Sequence, residues 1–318
     1  MNIVFMGTPN FSLPTLQQLY KSNHNIQLVV TQPDRPKGRG HKSSYPPVKQ
    51  FALDKGLPVL QPETCSKPEI INTLRELNTD IFIVVAFGQI LKENLLNLPR
   101  HFCLNLHASI LPKYRGAAPI NWAIINGETE TGVTTMKMDT GLDTGDILLT
   151  SKVPIKSEDD SQSLHDSLAY KGASLVLDTL RRLDAGTLGF LPQDSSLSSY
   201  APKLKKGDGL IHWDESALKI HNRVRGLSPW PGAFSFFGSR RFRICKTKTT
   251  TGDPLDRPGS IVRIADHGIE VGTGDGRIIV TELQLEGKKR MEVKNFLAGN
   301  KLAAGEEFDN KPRLEIRS

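Results

Sequence analysis

Residues 81–86 of this 318-residue chain read IFIVVA, six side chains with no polar group among them. Neighbouring side chains in a strand point to opposite faces, so such a run is buried only where both faces of its sheet are covered. Further strand candidates lie at 3–5, 27–31, 58–60 and 103–106. Helical patterns fall between them, at 12–20, 67–77 and 118–125. Strands and helices in alternation, with apolar strands, imply a mostly parallel sheet with helices on both faces, a Rossmann-like α/β arrangement. Two more strand candidates, 132–138 and 146–153, follow one another closely, and a long helical pattern runs from about 161 to 183.

The stretch LPQDSSLSSYAPKLKKGDG, 191–209, is rich in Ser, Pro, Lys and Gly and reads as a linker. Beyond a short helical segment at 216–224, Gly and Pro separate strand-like pieces at 233–237, 241–246, 259–264, 268–271 and 277–285. Five short strands with tight connections suggest a small β-barrel. The division this implies is a first domain over 1–189, a linker over 190–208 and a second domain over 209–318.

Charge follows that division. Residues 1–201 hold 19 Lys+Arg and 19 Asp+Glu, whereas 202–318 hold 22 and 15, so the whole net charge of +7 sits in the last third. A neutral part joined to a basic part suits a reactive domain tethered to one that meets a polyanion; a well-solvated basic surface has the same composition. No apolar run is long enough to span a bilayer. The opening MNIVFMGTPNF reads as a strand entering a turn and lacks the marks of a signal peptide. Three widely spaced cysteines, Cys65, Cys103 and Cys245, argue against a disulfide framework or a zinc site and for a reducing, cytoplasmic setting.

Two elements carry chemistry. In CLNLHASILPKYRG (103–116), Leu104 and Leu106 share one strand face and Asn105 and His107 the other. The pair therefore emerges near the carboxyl end of a parallel strand, the edge where open α/β sheets bind ligands. Alone it is weak, because a capped strand end with a satisfied histidine uses the same residues. The second element, MDTGLDTGDILL (138–149), packs Asp and Gly between two strands, as a loop does where backbone approaches a ligand; an ordinary acidic turn has the same composition. If Asp143 lies beside His107, its carboxylate would orient the imidazole.

NLHASILPKYRG followed by GLDTGDILL resembles the signature of the folate-dependent formyltransferase family. The resemblance implies that Asn105, His107 and Asp143 form the catalytic set. It implies folate contacts from Ser109, Ile110, Leu111 and Pro112, a pteridine pocket lined by the loop Phe87, Gly88, Gln89, Ile90 and Leu91, and a contribution from Asp139. The formyl donor it implies is 10-formyltetrahydrofolate, a co-substrate, with no metal. Addition of an amine to the formyl carbon gives a tetrahedral oxyanion, to which Asn105 and a protonated His107 could donate, while Asp143 holds the histidine and helps move protons. No covalent enzyme intermediate is needed, so Cys103 reads as a buried strand residue.

The acceptor side resembles the branch of the family that formylates methionine on initiator tRNA. FMGTPNF lacks the glycine spacing of a dinucleotide fingerprint. DRPKGRGHKSSYPPVK (34–49) carries Arg35, Lys37, Arg39, Lys42 and Lys49 against the single acid Asp34, as suits a loop that wedges into a nucleic-acid end. In the family this insertion reads the acceptor stem, and Arg39 matches its critical arginine. APKLKKGDGLIHW and HNRVRGLSPWPGAFSFF resemble the linker and the start of a second domain, an OB-like barrel that binds tRNA. Lys203, Lys205 and Lys206 are its candidate phosphate contacts, with Arg223 and Arg225 beside them; Trp213, Trp230 and Phe234–Phe237 read as core. The resemblance also implies a monomer without membrane attachment. The alternatives are a formyltransferase for a sugar-nucleotide amine, one for glycinamide ribonucleotide, a folate hydrolase, and a nucleic-acid-binding protein on an inactive scaffold. None of these gives the basic 34–49 loop and the Asn105, His107 and Asp143 set a use together.

Overall fold

The computed structural model describes residues 1–36 and 43–312. Two compact units form: one from 1–119, 130–154 and 165–201, the other from 120–129, 155–164 and the described residues from 202 onward.

The main sheet of the first unit consists of β1 (Asn2–Gly7), β2 (Asn25–Val30), β3 (Val59–Leu60), β4 (Ile81–Val85), β5 (Cys103–His107), β6 (Glu130–Lys137) and β7 (Ile147–Pro154). Their order in the sheet is β7-β6-β5-β4-β1-β2-β3. The five from β5 to β3 are parallel, β6 adds antiparallel to β5, and β7 adds antiparallel to β6. The apolar runs explain the layering. Val4, Met6, Phe82, Val84 and Cys103 face one side, against Ile71 and Leu74 of the helix Pro68–Glu76. Ile3, Phe5, Ile81, Ile83, Leu104 and Leu106 alternate with them and are equally buried. Cutting any of the buried leucines back to alanine costs roughly 2–5 kcal/mol. The helix Ser161–Asp184 is fastened to β6 by a buried hydrogen bond of 2.8 Å between Thr179 and Thr135.

This order places a switch point between β1 and β4: the chain runs outward from β1 to β2 and β3, then returns to β4 and β5 on the other side. A crevice opens there at the carboxyl ends. The helix Pro47–Asp54 was not anticipated, because basic and proline-rich residues mask its start. Proline at the first helical position needs no hydrogen-bond acceptor, so it opens this helix and Pro68–Glu76 alike.

The second unit contains β8 (Ala233–Phe237), β9 (Arg240–Thr250), β10 (Ile261–Ala265), β11 (Gly268–Gly272) and β12 (Arg277–Leu285), all antiparallel in the order β8-β9-β12-β11-β10. Residues 307–309 close it into a barrel. Asp309 exchanges backbone hydrogen bonds with Phe236 (3.0 and 2.7 Å), and the Phe308 amide donates to Gly259 at 2.8 Å. Each free sheet edge thus finds a partner. Trp213 lies in the core, its indole N–H donating to Ser235 Oγ at 2.9 Å. Trp230 departs from the core expectation: it is half exposed, in a turn between two prolines that leaves no sheet face to bury it.

Candidate active site

β5 delivers Asn105 and His107 to the carboxyl edge of the sheet. Asn105 sits opposite Val84 on β4 and Met136 on β6, and His107 opposite Thr134. Two residues apart, they share a face. The His107 ring is buried, and its Nε2 lies 2.9 Å from the carbonyl oxygen of Tyr114. A carbonyl only accepts, so Nε2 carries the hydrogen and Nδ1 is the nitrogen turned toward Asp143.

The loop between β6 and β7 brings that carboxylate in. Asp139 accepts hydrogen bonds from the Gly141 amide at 3.0 Å and from Thr144 Oγ1, which closes the turn on itself. A Cβ on Gly145 would collide with the Lys137 carbonyl oxygen, so the loop closes only over glycine. Asp143 then adopts φ +53° and turns its side chain back over β5. Asp143 Oδ2 accepts from the Gly116 amide at 2.8 Å and lies 3.7 Å from His107 Nδ1. That separation exceeds a hydrogen bond. The imidazole is therefore oriented by the Tyr114 carbonyl and not by direct bonding to the carboxylate; a protonated ring has one donor for each of the two acceptors. Asn105 Oδ1 is buried with no partner among the described residues. An orphaned polar atom of this kind costs stability, and it suits a site where a bound molecule completes the pairing.

The other expected site residues divide by environment. Phe87 and Leu91 are core, and Gln89 ties its loop down by accepting from the Cys65 amide and donating to the Pro62 carbonyl. Of that loop, Gly88 and Ile90 remain exposed, Ile90 at 85 %. Ser109 and Leu111 are buried in the turn after β5, where Ser109 Oγ donates to the Lys113 carbonyl at 2.6 Å; Ile110 and Pro112 are partly exposed. At the β1/β4 switch point a cavity of about 520 Å³ is lined by Thr8, Gln32, Arg35, Tyr45, Phe87 and Gly88, so Arg35 and the Phe87–Gly88 turn share one opening. Lys37, Arg39 and Lys42 lie outside the described residues. Lys49 pairs with Asp34 at 2.5 Å, which together with Gln61 holds the Asp34 carboxyl below the usual range. In the second unit Lys203, Lys205 and Lys206 are exposed. Arg223 is engaged internally with Asp208 and Glu215, and Arg225 with the carbonyls of Lys156 and Asp159. Burial pushes the Cys103 thiol up to about 12, so it stays protonated and inert at neutral pH. Sequence reading missed the Tyr114 carbonyl and the Gly116 amide: both act through backbone, which no side-chain pattern signals.

The profile of the Formyl transferase family matches residues 1–180, and that of the Formyl transferase C-terminal domain matches 203–301. A methionyl-tRNA formyltransferase from Geobacter metallireducens is 52 % identical over 305 residues, covering 96 % of this chain and 97 % of its own. The chain belongs to the methionyl-tRNA formyltransferase family. A second member, from Ruminiclostridium cellulolyticum, is 48 % identical over 97 % of this formyltransferase and 99 % of its own length. A sugar 3N-formyl transferase crystallised in the presence of dTDP and 5-N-formyl-THF shares the fold, with a TM-score of 0.67 over 91 % of this chain and 99 % of its own at 23 % identity. Among the described residues of this formyltransferase no cluster of His, Cys, Asp or Glu could hold a metal ion, and no helix is long and apolar enough to cross a membrane.

Proposed function

We propose that this formyltransferase carries the formyl group of 10-formyltetrahydrofolate to the α-amino nitrogen of methionine on initiator tRNA, giving N-formylmethionyl-tRNA for translation initiation. The convergence of His107 and Asp143, with Asn105 on the same strand face, carries this reading, in a chain about half identical to relatives named for that activity. The residues suit the donor. Ile90 and Leu142 hold aliphatic side chains out on the two loops beside this edge, 85 % and 57 % exposed, as a flat heterocycle would need. The Asn105 side-chain oxygen, buried without a partner among the described residues, offers an acceptor at the same edge.

When bound, the folate supplies an activated formyl carbon. The attacking amine is a nucleophile once neutral, and a free α-amine loses its proton near pH 7.7–8.0. Asn105 turns its amide N–H toward the oxygen that gains negative charge, and a protonated His107 adds positive charge to the same place. A donor so placed is worth about 10²–10³ in rate. Asp143, held by the Gly116 amide, keeps the ring company and passes the proton the amine loses to the folate N10, which leaves as its bond to the formyl carbon breaks. Ser109, Ile110, Leu111 and Pro112 shape the turn against which the folate lies, with Asp139 closing the opposite loop.

The division of labour that goes with this reading is catalysis over 1–189, a linker over 190–208 and tRNA binding over 209–318. Arg35, Lys37, Arg39 and Lys42 engage the acceptor end, and the exposed Lys203, Lys205 and Lys206 engage phosphates. The enzyme works as a monomer in the cytoplasm. The test is incubation of the protein with 10-formyltetrahydrofolate and methionine-charged initiator or elongator tRNA, followed by assay of formyl-methionine. Formylation of the initiator, lost in His107→Ala and much weakened in Arg39→Ala, is the expected result. Folate turnover on a sugar-nucleotide amine or on water, with neither tRNA formylated, would sink the acceptor assignment.

A further inference from the structure

We infer that residues 191–201 form a strap that holds the catalytic groups in register, with Gln193 as a positioning residue for Asp143; what that register serves rests on the formyl-transfer reading above. By composition the segment, LPQDSSLSSYA, is a polar tether with no apolar stripe to dock it. In the structure it is fastened at four places, and all four fall on or beside the two loops that carry the site. Leu191 exchanges backbone hydrogen bonds of 2.9 Å with Ile147, the first residue of β7. Gln193 Nε2 donates to the carbonyls of Asp143 at 2.9 Å and Gly145 at 2.7 Å. Ser199 Oγ accepts from the Tyr114 amide at 2.9 Å. Tyr200 and Ala201 pair in parallel with Arg115 and Gly116.

Gln193 has one chemically consistent orientation. Its nitrogen faces two carbonyls, and its oxygen accepts from Arg115 Nε at 3.1 Å and Nη2 at 2.8 Å. The side chain thereby clamps the 143–145 turn to Arg115, the residue next to Gly116, whose amide holds the Asp143 carboxylate. Both anchored residues need holding. Asp143 at φ +53° and Tyr114 at φ +61° sit in the left-handed region, which residues other than glycine keep only where their surroundings over-determine them. Tyr114 also supplies the carbonyl that fixes the His107 ring. The strap thus reaches each side of the histidine–carboxylate pair, through Tyr114 on one side and through the Asp143 backbone on the other. A Cβ on Gly116 would crowd the Tyr200 ring at 2.6 Å and the Ala201 carbonyl at 2.8 Å, so strap and loop lie against each other without slack. A displacement of about 1 Å at such a site costs about 10²-fold in rate.

Gln193→Glu is isosteric and keeps an acceptor for Arg115, but it turns an oxygen toward two carbonyl oxygens. In the full-length protein we expect kcat for formyl transfer to fall about 10- to 100-fold, with KM for both substrates and the melting temperature nearly unchanged. In an Asp143→Asn background the same substitution should add less than about twofold, because a residue acting through Asp143 loses its effect when Asp143 is altered. Backbone amides of 139–147 and of Gly116 should exchange with solvent about tenfold faster or more, a readout independent of turnover. Unchanged exchange, or a rate loss that adds in full to that of Asp143→Asn, overturns the inference. If Gln193→Glu does not fold, Ser199→Ala, at an exposed hydroxyl, puts the question to the Tyr114 anchor by the same measurements. A wild-type protein that leaves methionyl-tRNA unformylated sinks the formyl-transfer reading, and the exchange experiment then decides the strap alone.

Discussion

His107 in the first unit is buried and His221 in the second partly buried, and both are hydrogen-bonded, yet their surroundings have opposite sense. His107 has an acceptor at each nitrogen: the Tyr114 carbonyl at Nε2 and the Asp143 carboxylate facing Nδ1. His221 Nδ1 pairs with the Thr247 hydroxyl at 2.9 Å, and burial together with the Arg225 guanidinium pushes its pKa down to about 4. One ring stands between two acceptors; the other stands beside a cation and is kept neutral. The difference lies in what each fold brings near the ring. A parallel sheet gathers loop backbone at its carboxyl edge, whereas a closed barrel surrounds its buried polar groups with its own side chains. Buried histidine is therefore informative only together with the sign of its neighbours.

The largest effect that sharpens this comparison is on turnover. His107→Ala should lower kcat by about 10²–10⁴-fold while the melting temperature barely moves. His221→Ala should leave turnover per folded molecule intact. It should cost about 1–3 kcal/mol in urea unfolding, because the buried Thr247 hydroxyl loses its partner. If His221→Ala abolished formylation well below its own melting point, the contrast between a reactive and a structural histidine would be broken. Glycines give a second contrast. Gly145→Ala drives a methyl into the Lys137 carbonyl and should cost about 1–3 kcal/mol, with a loss of turnover, since Asp143 rides on the same turn. Gly238→Ala, in the β8–β9 turn, meets nothing within 4 Å and faces only its φ of +59°. It should cost about 1 kcal/mol and leave turnover alone. Urea titrations and single-turnover formylation separate the two.

Where patterns depend on side chains, the fold was legible in advance. Apolar runs at β1, β4 and β5 announce a covered parallel sheet, and the Asn105-x-His107 spacing alone puts both groups on one face. The density of Asp and Gly in 138–146 marked the loop that folds over β5. Hidden from the sequence were contacts made by backbone and by irregular chain. The Tyr114 carbonyl fixes His107, the Gly116 amide fixes Asp143, and residues 307–309 close the barrel chiefly through main-chain bonds. The polar 191–201 stretch read as a tether because its docking uses Gln193 and Ser199 on loop carbonyls and amides, which leaves no periodicity. Arg223 and Arg225 looked like phosphate contacts for the converse reason: a cation in a sequence carries no mark of the carbonyls it will meet.

The smallest predicted effect is a pH dependence of stability that belongs to the second unit. His221 has a folded-state value near 4 against 6.5 for an unperturbed imidazole. Between those limits the unfolded chain binds a proton that the folded one refuses, so stability rises with pH across that window. Its contribution is fully present above about pH 6.5, declines as pH falls toward 4, and changes no further once both states are protonated. With the shift discounted for the solvent that still reaches the ring, the effect is on the order of 1 kcal/mol. Urea midpoints at pH 7.5 and 5 should differ in the wild type and differ less in His221→Gln, which stays neutral throughout; His24, also held below its usual value by burial, keeps part of the difference. His107→Gln should leave that pH difference in place. A pH dependence undiminished in His221→Gln would overturn the assignment.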